Sequence, residues 1–198
     1  MALVLLPAAE CQTISVRVFD RSALPFRVLL EGEKTAAEVL ASAGVQVAWL
    51  NCQAAHAECR ERPTQTKLVL TILKSGSPMA REDVLGLAAQ DSDGSGAYCY
   101  IFRDKLEQVS GTYISAQRLL GYAMAHEIGH LIKGSHSHSP AGVMSAVWSR
   151  KQLQLAARGA LGFTPEEAAA IRARLWSPKQ SASVSASQAA VQLSDLRP

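Results

Sequence analysis

The sequence predicts an α/β domain: a twisted, mixed and mostly parallel sheet with a backing helix, a central buried helix and a small C-terminal helical subdomain. Three observations lead there. Short apolar runs of strand character alternate with a helical spacing along the first hundred residues. A later segment is apolar around most of a helical circumference, as a helix packed in the interior is. The chain has 198 residues, 48% of them hydrophobic and 19% charged, enough for one core but short for two domains.

Thr13 to Asp20 alternates Ile14, Val16 and Val18 against polar neighbours, the pattern of a half-buried strand. From Pro25 to Ala43 the spacing turns helical, carried by Phe26, Leu29, Leu30, Ala36, Val39 and Leu40. Gly32 weakens this helix near its start, and Gly44 suits the position just past its end. Val45 to Leu50 and Leu68 to Leu73 read as strands separated by a polar loop, and Ser75 to Pro78 as a turn. Leu85 to Ala89 reads as a short edge strand and Ala97 to Phe102 as a further strand. Between them Asp91 to Gly96, DSDGSG, carries acids and glycines like a calcium loop, but the ligand ladder is incomplete and turn chemistry explains it better. Ser115 to Ile132 forms one helix, with Leu120, Met124, Ile128 and Ile132 in one row and Leu119, Ala123, His126 and His130 in another; Gly134 ends it. A last helix starts at Thr164-Pro165-Glu166-Glu167, where Thr164 and Glu167 form a capping box, and runs to about Trp176.

The domain therefore spans 13–176. Residues 1–12 begin MALVLLPAAE, an apolar run followed by small residues, and read as a signal-peptide remnant or a disordered N-terminus. Residues 177–198 read as a disordered Ser/Ala-rich tail. Cys52 and Cys59 flank a short polar segment and suggest a loop clipped by a disulfide, which fits a secreted or periplasmic protein; in the cytoplasm they would be thiols. Their spacing is wider than that of common zinc knuckles, and His56 between them reads as a solvated loop residue. Twenty basic against 17 acidic residues leave a net charge of +3, too mild to nominate a nucleic acid as partner. No run approaches the roughly 18 apolar residues of a spanning helix, so no transmembrane segment is expected. The chain is expected to act as a monomer.

The informative stretch is HEIGHLIKGSHSHSPAGVM, His126 to Met144, which holds four of the five histidines. On a helix His126 and His130 lie one turn apart on one face, about 6 Å along the axis. Two imidazole nitrogens so placed can converge on one tetrahedral Zn2+. Glu127 is rotated by about 100° from His126, close enough to reach a water on the metal without ligating the metal. Such a metal lowers the pKa of water to about 7 and polarises a carbonyl, and Glu127 would take the water's proton as general base and hand it to a leaving amine. Burying two histidines and a glutamate on an apolar helix is costly unless something satisfies them, and a metal does so.

This stretch resembles the active-site segment of metzincin metalloproteases, HExxHxxGxxH followed by a Met-turn. His126, Glu127 and His130 match the helical part, His136 matches the third histidine, and Met144 follows at a matrixin-like interval. The resemblance implies a metzincin-like (zincin) fold, zinc as cofactor, a peptide or protein substrate and Met144 as a hydrophobic floor beneath the metal. One departure stands out: the family's glycine falls at Lys133, and glycine comes one residue later at Gly134. The chain also resembles bacterial proteins with a HEIGHLLLG…HSxxGIM pattern, in which His138 becomes the third ligand. His138 and His136 both stay open for that role. A distant carboxylate ligand, Glu166 or Glu167, fits less well, because both are explained by the helix start.

Trp148 reads as a packing residue or a wall of the substrate pocket, with packing favoured. Sequence does not choose an oxyanion donor among Tyr98, Tyr100, Tyr113 and Tyr122, and Cys11 is a further candidate metal-directed thiol. The expected function is a zinc-dependent endopeptidase. The alternatives are a non-proteolytic zinc-binding protein with a zincin fold acting as a binding module, and a metal-free exported binding domain.

Overall fold

The computed structural model describes residues 12–53, 57–75, 84–135 and 137–176. The expected N-terminal remnant with Cys11, the C-terminal tail, His56, His136 and most of the turn after Ser75 lie outside them. The elements run β1 (Gln12–Asp20), α1 (Phe26–Ala41), β2 (Val45–Asn51), a 3-10 turn (Ala57–Arg60), β3 (Lys67–Leu73), β4 (Gly86–Ala89) and β5 (Tyr98–Phe102). Then come α2 (Arg103–Val109), α3 (Ala116–Lys133), α4 (Arg150–Ala157) and α5 (Pro165–Leu175).

The five strands form one sheet in the order β2-β1-β3-β5-β4. All neighbours pair in parallel except β4, which runs antiparallel to β5 at the edge, with Gly86 opposite Ile101 and Ala88 opposite Cys99. The sequence alternation appears as a fully buried sheet face: Ile14, Val16, Val18, Leu68, Leu70, Ile72, Cys99 and Ile101 are 0% exposed. They share one core with Leu29, Ala36 and Leu40 of α1 and Leu120, Met124 and Ile128 of α3. Each such side chain contributes about 1.5–3 kcal/mol of burial, so the core rather than helix propensity sets where the helices lie.

α1 packs extensively along α3 and reaches β2, whereas α3 also lies against β4 and β5. The two helices meet at glycines. A Cβ on Gly121 would stand 2.5 Å from the Gly32 carbonyl oxygen, and one on Gly32 would stand 2.8 Å from Leu120 Cδ2. Gly32, a weakness for an isolated helix, thus makes room for the Leu120 side chain at this crossing. From Leu119 to Ile132 every residue of α3 is buried.

Two helices were not expected from the sequence. α2 has seven residues and buries only Leu106, too little for a periodicity to show. α4 is capped by Ser149, whose hydroxyl accepts from the Gln152 amide while the Gln152 side chain returns to the Ser149 N–H. That Ser-x-x-Gln pattern is a capping box legible in the sequence. A disulfide joins Cys52 to Cys59 beside the 3-10 turn, and Cys99 is a free buried cysteine. Among the described residues no helix is long and apolar enough to cross a membrane.

Candidate metal centre

The last two turns of α3 carry His126 and His130, 9% and 4% exposed, and His138 comes back to them from the exposed loop that follows. The reversal depends on Gly134, which adopts the left-handed conformation (φ 70°, ψ 35°) as the helix ends and gives its N–H to the His130 carbonyl. Helix α3 therefore runs one residue further than the glycine position of the motif it resembles. Three ring nitrogens converge there: His130 Nε2 lies 3.1 Å from His126 Nε2 and 3.3 Å from His138 Nε2. Nitrogens bound about 2.0–2.1 Å from one tetrahedral zinc stand about 3.3–3.4 Å apart. His126, His130 and His138 form a group able to hold a metal ion.

The other ring nitrogens fix the tautomers. His126 Nδ1 is 2.8 Å from the Val143 carbonyl and His130 Nδ1 is 2.8 Å from the Ser135 carbonyl. A carbonyl only accepts, so both Nδ1 atoms carry the hydrogen and donate it, leaving the Nε2 lone pairs turned toward the cluster. Burial holds both rings neutral: it pulls His126 down to about 4, against the pull of the Val143 hydrogen bond, and His130 down to about 3, helped by the nearby His126. Neutral imidazoles aiming lone pairs at one point suit a cation.

Glu127, 7% exposed, faces the same cleft. Burial raises its carboxyl to about 8, and a hydrogen bond with the Ala88 backbone pulls it part of the way back. Room for it comes from Gly86 of β4, where a Cβ would stand 2.8 Å from Glu127 Cγ and 2.6 Å from the Tyr100 carbonyl oxygen. Sequence reading had no means to find this pairing, which joins positions 41 residues apart.

A turn at Gly142 (φ 76°) to Ser145 lies beneath the rings, tied by Val143 N–H to the Gly162 carbonyl and by Ser139 N–H to the Met144 carbonyl. Met144 is fully buried against α3 at Gly129, where a Cβ would come within 2.7 Å of its Sδ. Trp148 both packs and lines the cleft: its ring stands edge-on to His126 at 5.9 Å and to Tyr122 at 6.2 Å, and its Nε1–H donates to Val143 O. The cleft holds about 460 Å³ between β4, α3 and the 145–148 segment.

Several candidates lie elsewhere. The described residues lining the cleft include no tyrosine. Tyr122 is buried behind Trp148, Tyr113 lies under Arg150, and Tyr98 and Tyr100 sit on β5. Glu166 and Glu167 occupy the first turn of α5, with Glu167 in its capping box, and neither belongs to the histidine group. The 91–96 loop is a hydrogen-bonded turn, in which Asp91 and Asp93 accept from Ser95, and it packs on the end of α3: Arg174 donates to Gly94 O, and Gln90 Nε2 donates to the His130 carbonyl at 2.7 Å.

No known family model matches this chain, and no curated protein matches it in sequence. Solved structures do match in shape. The crystal structure of archaemetzincin from Methanopyrus kandleri aligns with a TM-score of 0.51, over 86% of this chain and 99% of that one, at 17% sequence identity. The fold is archaemetzincin-like. In this fold α3 packs against α1 and against β4 and β5 of the sheet, and β4 lines the cleft together with the segment that follows α3.

Proposed function

We propose that this protein is a zinc-dependent endopeptidase. The observation that carries the reading is the convergence of three Nε2 atoms from His126, His130 and His138 beside the buried Glu127 carboxyl in a cleft along an edge strand. His126, His130 and His138 would hold the ion, with the Val143 and Ser135 carbonyls orienting the first two rings. When bound, the zinc supplies a Lewis acid that polarises the scissile carbonyl and makes water acidic enough to attack near neutral pH. Glu127 Oε takes the proton of the attacking water and returns it to the leaving amine nitrogen. The outer edge of β4, which pairs with no further strand among the described residues, aligns an extended peptide by strand addition, and Trp148 with the apolar cleft wall keeps other water out. Met144 forms the floor, as the metzincin resemblance implies. The Cys52–Cys59 disulfide supports a secreted or periplasmic setting, and the chain acts as a monomer. Elemental analysis of the purified protein should give one zinc per chain, with hydrolysis of a quenched fluorescent peptide pool lost on chelation and restored by zinc. Protein that stays zinc-free after zinc supplementation would overturn the proposal.

A further inference from the structure

The cleft wall is short of hydrogen-bond donors. Among its described side chains the histidines serve the ion and Glu127 the proton transfers, the Trp148 N–H is spent on Val143 O, and the remainder are apolar apart from Ser145. Ser145 is 5% exposed, and its hydroxyl belongs to a network that keeps its proton turned away from Gln152. Ser149 donates to the Gln152 side chain from its backbone N–H and from its hydroxyl, both at 2.9 Å, so the atom receiving them is Oε1. The other end of the amide is then Nε2, which donates to Ser145 Oγ at 2.6 Å. Ser145 Oγ is thus an acceptor toward Gln152, and no acceptor among the described residues takes its own hydrogen.

Resting on the peptidase reading, we propose that Ser145 is a substrate-positioning residue that gives this hydrogen to a main-chain carbonyl oxygen of the bound peptide. An extended peptide points alternate carbonyls to its two sides, so those not used by β4 face the rest of the cleft. A donor shielded from water and held by Gln152 meets them without reorganising.

The test uses the zinc-loaded full chain carrying Glu127→Gln, which holds peptide without cleaving it. The probe is the tightest binder from a pool of end-capped decapeptides, titrated by calorimetry. Ser145→Ala should weaken binding about 3- to 10-fold, and Ser145→Thr should restore it. Gln152→Glu keeps both acceptor contacts with Ser149, and so the cap of α4, but has no N–H to give; Ser145 then donates inward. That variant should lose as much binding as Ser145→Ala, with zinc content and thermal unfolding unchanged. Replacing one peptide carbonyl by CH2 should make Ser145→Ala silent. Undiminished binding in Gln152→Glu, a Thr variant as weak as Ala, or no carbonyl whose removal silences Ser145→Ala overturns the proposal alone. A protein holding neither zinc nor peptide overturns the peptidase reading and this one together.

Discussion

The three imidazoles differ in what each takes with it when truncated. His138 sits on an exposed loop, so His138→Ala should cost zinc affinity more than the roughly 10–100-fold of losing a supporting residue, while the zinc-free protein unfolds as before. His126→Ala should lower both, since its ring also packs beside Trp148 in the core. His136→Ala beside these, assayed for zinc content, decides between the two loop histidines; retention of zinc by His136→Ala and loss by His138→Ala is the outcome expected. Glu127→Gln should keep zinc and lower kcat by about 10²–10⁴-fold. His126, Glu127 and His130 were legible because helix geometry fixes their relation within one turn. The placing of His138 beside them was not, because it depends on a chain reversal at Gly134 that composition and spacing leave undetermined.

At the scale of elements, the glycines mark where backbone must approach something else. Gly86→Ala would push against Glu127 and the Tyr100 carbonyl at once, and should abolish peptidase activity while costing about 1–3 kcal/mol of stability, read by denaturant unfolding. Such close approaches were invisible in the sequence, where Gly32 read only as a weak point in a helix. Strands β1 to β5 and helices α1 and α5 showed in the sequence because each buries one periodic face, and α3 because it is apolar around most of its circumference. α2 and α4 are too short for a periodicity to show, α2 burying only Leu106 and α4 only Leu153 and Ala156, so that the Ser149–Gln152 capping box is the one local mark of α4. One buried acid on α1 gives a pH dependence. Glu33 is 5% exposed; burial raises its carboxyl to about 7, and a hydrogen bond with Asn51 opposes this. The folded state therefore holds the proton more tightly than the unfolded chain, and stability falls as pH rises from about 4.5 to about 7. Glu33→Gln should flatten that window and stabilise the protein at pH 8 by about 1–2 kcal/mol, seen in denaturant midpoints taken across the range.

For the whole molecule, zinc is expected to act as a folding ligand. Chelation should lower the thermal midpoint, and zinc at about 1,000 times its dissociation constant should stabilise by about 4 kcal/mol, an increment cut by more than about 1.4 kcal/mol in His138→Ala at the same zinc concentration. The α/β class and the burial of α3 could be read from the sequence, whereas the strand order and the antiparallel setting of β4 follow from long-range pairing that no local pattern encodes. The Val143 carbonyl has a consequence at this scale, because one oxygen receives both the His126 ring and the Trp148 indole. Altering the indole to change what the cleft grips would also alter how strongly that oxygen holds the imidazole, and with it the electron density the ring would offer a bound ion. Under the proposed function, substrate preference and metal tuning would therefore be inherited together, and a variant bred for a new substrate would need retuning at its ion as well.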